Sequence, residues 1–197
     1  GHGIAVSPLQ LTRSMAAMVN GGHVVTPTLL NVETEAPPPV AAPIISDATT
    51  AKVRAMLRLA VAAGTAKSAN VAGYIVGGKT GTSEKIGAHG YNKNARLSSF
   101  IGVFPLHAPR YIIFAMLDEP KGTKKTWGFA TGGWVAAPLV GRVGTAAAPL
   151  LGLPPQEPDN YALIDRQILK PIGPKLINEL IERHDTTVSS IQSVGEH

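Results

Sequence analysis

Leu11, Met15, Met18 and Val19 recur at helical spacing, and both ends of that run carry helix signals. Ser7 suits an N-cap, Pro8 the first helical position, and Gln10 completes a capping box. Asn20-Gly21-Gly22 supplies a left-handed stop. Val24 to Leu30 reads as a short extended piece interrupted by Pro27. After a Pro/Ala-rich loop, Ala36 to Pro43, Ser46 or Asp47 caps a second helix running to about Ala63, closed by Gly64. Val53, Met56, Leu57, Ala60 and Val61 form its predicted buried stripe, with Lys52, Arg54 and Arg58 outside.

Three extended segments follow. Tyr74 to Thr82 reads as a turn and then a strand, and Ile86 to Asn94 as a polar Gly/Asn loop bordering a groove. Leu97 to Phe104 is a strand stopped by Pro105. Tyr111 to Leu117 is apolar on both faces, which predicts a central or covered strand. The short loops between them predict an antiparallel meander, so the fold class is α+β, an antiparallel sheet flanked by helices. Gly132-Gly133 leads into an Ala-rich helix from Trp134 to about Leu151, bent by Pro138. Trp127 and Trp134 are expected to pack the start of that helix. Pro154-Pro155 ends the compact part, dividing the chain into 1–154 and an extension, 155–197. In the extension, Pro174 to His184 predicts an amphipathic helix with Leu176, Ile177, Leu180 and Ile181 inside; the last dozen residues read as loose.

Composition narrows the chemistry. The 197 residues are 44% hydrophobic but only 5% aromatic, so the core must come from Ala, Val, Leu and Ile. No apolar run is long enough to cross a membrane, and no signal peptide is expected. Gly at position 1, rather than Met, reads as a processed product or a fragment. The absence of Cys removes thiolate nucleophiles and Cys-based zinc sites. The six His are scattered without ligand spacing, so no metal and no cofactor is expected. The net charge of +5 reads as a solvated basic surface. Its densest cluster, Lys121, Lys124 and Lys125, lacks a stacking aromatic array, which argues against nucleic acid as a partner.

The chemistry concentrates in Gly77-Gly78-Lys79-Thr80-Gly81-Thr82. The paired glycines would let backbone approach a ligand, Lys79 supplies a compact cation, and Thr80 and Thr82 share a face if this is a strand. Gly81 leaves the opposite face bare, an arrangement suited to a carboxylate or phosphate along a strand edge. Two readings compete. Gly73 to Thr80 also matches the phosphate-loop pattern G-x-x-x-x-G-K-[ST], and Tyr111 to Asp118 would be its acid-ended strand. That reading requires a helix starting at Lys79-Thr80, where Gly81, Gly87 and Gly90 are poor helix formers.

The order of landmarks favours the other reading. Residues 1–11 (Gly-His-Gly-Ile-Ala-Val-Ser-Pro-Leu-Gln-Leu), 19–22 (Val-Asn-Gly-Gly), 64–66 (Gly-Thr-Ala), 77–82, 99–105 (Ser-Phe-Ile-Gly-Val-Phe-Pro), 116–120 (Met-Leu-Asp-Glu-Pro) and 131–138 (Thr-Gly-Gly-Trp-Val-Ala-Ala-Pro) occur in sequence. Over residues 1–154 the chain thereby resembles class B penicillin-binding proteins, most of all the division-specific peptidoglycan D,D-transpeptidases of the FtsI type. The resemblance implies the serine β-lactamase/D,D-peptidase-like fold. It implies acyl transfer from a D-Ala–D-Ala stem peptide, acylation by β-lactams, and division-complex membrane proteins as partners. It further implies a periplasmic location on an upstream membrane anchor.

By the same resemblance Lys79 joins the proton network of a nucleophilic serine. Thr80 and Thr82 bind the terminal carboxylate, Gly81 makes room for the acyl chain, and the Thr82 N–H is half of an oxyanion hole. The family's Ser-x-x-Lys is absent from all 197 residues. The Ser-x-Asn at Ser68-Ala69-Asn70 lies only nine residues before Lys79 and reads as coincidence. The expectation is therefore the C-terminal portion of a transpeptidase domain, inert alone and prone to self-associate through an uncovered apolar sheet face. An interaction module docking through the tail helix is the non-enzymatic alternative.

Overall fold

The computed structural model describes residues 4–30, 41–87, 90–175 and 177–178. Helix α1 spans Pro8–Val19 and starts as its residues dictate. The Ser7 hydroxyl accepts from the Gln10 backbone N–H, and the Gln10 side chain accepts from the Ser7 N–H at 2.8 Å. Met15, Ala17 and Val19 are buried, whereas Leu11 and Met18 are exposed. Residues 24–30 pair with no strand among the described residues.

Helix α2, Asp47–Ala62, is capped by Ser46. Its burial departs from expectation: Met56 is exposed, while Arg58 is only 2% exposed. The cause is a further helix, α5, Pro158–Leu169, which lies on the face assigned to solvent. The Arg58 guanidinium donates to Asp165, to the Tyr161 hydroxyl, to Asn70 Oδ1 at 3.1 Å and to the Val76 carbonyl at 2.8 Å. Four of the five guanidinium N–H donors are thereby used, one of them on a carboxylate, which makes the buried charge tolerable. The expected tail helix at 174–184 falls largely outside the described residues.

The sheet is an antiparallel meander of β1 (Gly77–Gly87), β2 (Gly90–Phe104) and β3 (Tyr111–Asp118), in the order β1-β2-β3. Within the polar stretch expected as loop, residues 86–87 and 90–92 are thus paired ladder. There Ile86 and Tyr91 are exposed, which is why the hydrophobic pattern gives no strand signal. The two strands keep pairing across a register shift, with Glu84 opposite Arg96 but Lys85 opposite Asn92. The central strand is β2; β3 is an edge here, although covered in part on both faces.

Those faces build two cores. Phe100, Ala115, Val76 and Phe104 pack against Ala136, Ala137 and Val140 on one side. On the other, Ile101 and Val103 pack against Met15, Val19 and Leu57, with Tyr161, Ile164 and Ile168 of α5 alongside. The Ala-rich helix is split at Ala136 into α3, Gly132–Val135, and α4, Ala137–Leu150, with Pro138 in the first turn of α4. Trp127 does not pack the helix start: it is exposed, with φ 53°. Trp134 instead stacks on Phe129, ring centroids 5.6 Å apart.

His107, in the turn between β2 and β3, lies beside the α2–α5 junction. Burial holds its imidazole below the ordinary value of 6.5. The neutral form is the one the fold accommodates. Above pH 6.5 the ring is neutral folded and unfolded, with no effect. As the pH falls below 6.5 the unfolded chain binds this proton first, and stability declines until the folded pKa is reached. The thermal midpoint of His107→Gln should therefore fall less than wild type between pH 7 and pH 5. Parallel curves would show that His107 contributes nothing to the pH dependence.

Candidate active site

Lys79 to Thr82 lie on β1, at the outer edge of the sheet. The register sets Thr80 opposite Phe100, Gly81 opposite Ser99, and Thr82 opposite Ser98. Thr80 and Thr82 therefore share the face that carries Phe100, under α3 and α4. Lys79 alternates to the other face and is exposed, yet its Nζ bends round the edge to the Thr80 carbonyl at 2.8 Å and comes within 3.5 Å of Thr80 Oγ1. One ammonium and one hydroxyl thus lie within 3.5 Å of each other, with a second hydroxyl two residues further along the same strand.

The two hydroxyls have different partners. Thr82 Oγ1 accepts from the Gly132 N–H at 3.1 Å, which leaves its own proton to donate elsewhere. Thr80 Oγ1 is 3.4 Å from Thr65 Oγ1, in the turn after α2. Ser68 of the same turn donates to the Gly133 carbonyl at 3.0 Å, and Ser98 to the Ala130 carbonyl. The bonds to Thr82, Ser98 and Ser68 pin the 130–133 segment onto β1, β2 and the segment after α2. The approach is close enough to require glycine: a Cβ on Gly132 would sit 2.2 Å from the Ser99 carbonyl oxygen and 2.6 Å from that of Gly81.

Three particulars differ from the sequence reading. Gly77 and Gly78 make room for the protein's own side chains, since added Cβ atoms would meet Leu106 and Phe100 at 2.4 Å. Gly81 does not leave its opposite face empty, because a Cβ there would be 2.6 Å from Ser99 Oγ. Thr65 and Ser68 belong to the constellation. Thr65 was legible only as part of Gly64-Thr65-Ala66, and Ser68 takes a structural bond while Asn70 serves Arg58.

The phosphate-loop reading fails here. Lys79-Thr80 continues as strand through Gly87, so no helix offers its first amides and dipole to a phosphate. Asp118 is engaged by Lys85, whose Nζ also reaches Glu119 at 2.9 Å. Hydrogen bonds to Glu119 and then Asp118 raise the Lys85 pKa above 10.5, so this cation stays charged and ties the hairpin to the start of the 119–131 loop.

Comparison with known proteins agrees with this geometry. The penicillin binding protein transpeptidase domain family matches residues 1–143. The chain is 42% identical over 166 residues to the probable peptidoglycan D,D-transpeptidase FtsI of Caulobacter vibrioides, covering 78% of this chain and 27% of that protein. It is 36% identical over 167 residues to stage V sporulation protein D of Bacillus subtilis, covering 80% and 25%. The chain thus spans about a quarter of the length of these relatives. Among solved structures, the transpeptidase domain of Burkholderia pseudomallei penicillin-binding protein 3 superposes with a TM-score of 0.69 at 33% identity, covering 80% of this chain and 46% of that one. Penicillin-binding protein 3 of Mycobacterium tuberculosis, complexed with aztreonam, gives 0.65 at 29%, covering 80% and 38%.

Proposed function

We propose that this chain, which belongs to the penicillin-binding protein transpeptidase domain family, supplies the carboxylate-binding wall of a peptidoglycan D,D-transpeptidase. The observation that carries the proposal is the strand edge where the Lys79 ammonium lies beside the Thr80 hydroxyl and the Thr82 hydroxyl keeps a free proton. A stem peptide ending in D-Ala-D-Ala, or a β-lactam, places its carboxylate there. A serine outside these 197 residues attacks the penultimate carbonyl carbon. The C–N bond breaks, the terminal D-Ala leaves as the amine, and an ester forms. A neighbouring strand's amine then takes the acyl group and the serine recovers its proton. Lys79 stabilises the anionic groups, and the Thr82 N–H donates to the carbonyl oxygen as charge develops on it.

On this reading the chain alone is inert. The parent acts in septal wall synthesis at the periplasmic face of the inner membrane, among division-complex membrane proteins. The FtsI-type relatives support that placement, and no described helix of this chain is long and apolar enough to cross a membrane. Intact mass after incubation with benzylpenicillin tests it, on this chain and on the full-length gene product in parallel. The expected adduct appears on the full-length protein only, and Lys79→Ala slows its formation at least about a hundredfold, the scale of losing one preorganised electrostatic contact. An adduct on the 197-residue chain would overturn the inertness. No adduct on either would overturn the transpeptidase reading.

A further inference from the structure

Between α2, α5 and the β2–β3 turn lies a recess of about 250 Å³. It is far too large for a single water, whose share of liquid volume is about 30 Å³. Two basic side chains line it, Arg54 from α2 and His107 from the turn. Arg54 Nε and His107 Nδ1 are the buried side-chain nitrogens that lack a hydrogen-bond partner among the described residues. Both residues that carry an orphan nitrogen therefore line one recess, with the nitrogens themselves closed off from water. An unmet buried donor costs free energy that a partner would return.

The neighbouring residues explain why the protein itself does not meet them. One helical turn on, Arg58 takes the Asp165 carboxylate of α5 for itself. Opposite Arg54, α5 presents Ile164, Gln167 and Ile168, with Pro171 beyond, so the wall facing the guanidinium carries an amide but no acid. The recess thus has a cationic donor and a ring nitrogen at one place and aliphatic carbon around the rest. Burial keeps the imidazole neutral near pH 7, and a neutral ring with its proton on Nδ1 donates without adding charge. A bare inorganic anion would satisfy the nitrogens and waste the aliphatic walls. A carboxylate with a short apolar tail uses both. Nε is buried in the structure, so a ligand reaches it when the half-buried Arg54 side chain turns toward the recess.

We propose that the recess between α2, α5 and the β2–β3 turn is a binding site for a small carboxylate bearing a short aliphatic chain, held by Arg54 and His107. One wall of the site is α5, which lies beyond residues 1–143 of the family match, whereas Arg54 and His107 lie within it. The site is separate from the β1 edge and stands or falls independently of the reading given to that edge.

Titration of the 197-residue chain with butyrate, acetate and inorganic phosphate, followed by amide chemical shifts, tests the assignment. Butyrate should bind in the millimolar range, more tightly than either other probe, and shift the amides of residues 51–54, 107 and 164–168. Arg54→Gln, which keeps length and polarity but removes the charge, should weaken butyrate about tenfold, the value of one charge-assisted contact. Ile168→Ala, which leaves both nitrogens in place, should weaken butyrate more than acetate. Shifts absent up to 50 mM, or unchanged affinity in Arg54→Gln with an otherwise native spectrum, would overturn the site. Phosphate binding as tightly as butyrate would overturn its chemical class.

Discussion

Arg58→Ala is expected to destabilise the chain by about 3 kcal/mol, the lower end of what breaking a buried ion pair costs. The lower end applies because Asp165 keeps 23% of its side-chain surface and can recover some water. For a chain of this length that is a fall in thermal midpoint of about 6–12 °C. The loss has several parts. Asp165 is left without its cation, the Val76 carbonyl and Asn70 Oδ1 lose a donor, and the Tyr161 ring loses the guanidinium 5.6 Å from its centroid. Hydrogen exchange should speed up most across α5, which this residue ties to α2. The paired variant Arg58→Leu/Asp165→Leu should recover much of the loss, since replacing both members with apolar groups leaves no orphaned charge. A loss below about 1 kcal/mol in Arg58→Ala would mean that the guanidinium is not holding α5.

Gly132→Ala is expected to damage stability and site together. The new methyl would fall within 2.2 Å of the Ser99 carbonyl oxygen and 2.6 Å of the Gly81 carbonyl oxygen. Both are ladder backbone and cannot rotate aside as a side chain could. Overpacking costs typically about 1–3 kcal/mol, and a rigid neighbour puts this case at the upper end. Relief requires α3 to lift, which breaks the Gly132 N–H bond to Thr82 Oγ1. In the full-length protein, benzylpenicillin acylation should slow even where the variant remains folded. Gly144→Ala in α4 is the contrast: its nearest neighbour would be 3.9 Å away, and Ala is the better helix former, so that variant should be neutral or slightly more stable. Equal behaviour of the two variants would remove the argument from close approach.

These two residues also mark how far the chain could be read unaided. Local signals were legible. Ser7, Pro8 and Gln10 announce α1, and Ser46 announces α2, because caps act within a few residues. The strand setting of Lys79 to Thr82 followed from the ordered landmarks and the glycines after Lys79-Thr80; its place at the sheet edge comes from the topology. Arg58 was misplaced because its partners Tyr161 and Asp165 stand more than a hundred residues away, and charge alone argues for solvent. Helix α5 had its signals, Pro158 at the start and Tyr161, Ile164 and Ile168 at helical spacing, yet they were passed over in a polar segment. Residues 86–87 and 90–92 were misread for the opposite reason: they are strand with exposed side chains, so hydropathy carries no trace of them. The seat of Gly132 on two carbonyls could be suspected from Gly132-Gly133 but is a tertiary fact.

The register shift after Glu84 divides the β1–β2 hairpin into two mechanically separate parts. From Gly77 to Glu84 the pairing is one residue for one, and it fixes where Thr80 and Thr82 stand against Phe100 and Ser98. From Lys85 onward the pairing restarts, with residues 93–95 taken up on β2 and nothing opposite them. A change in length beyond that point has a slack segment in which to be absorbed, so it need not slide Lys79 along its neighbour. The outer arm is therefore a module whose size and composition can diverge among related chains, or carry a grafted tag or fluorophore, while the spacing of the strand edge is preserved.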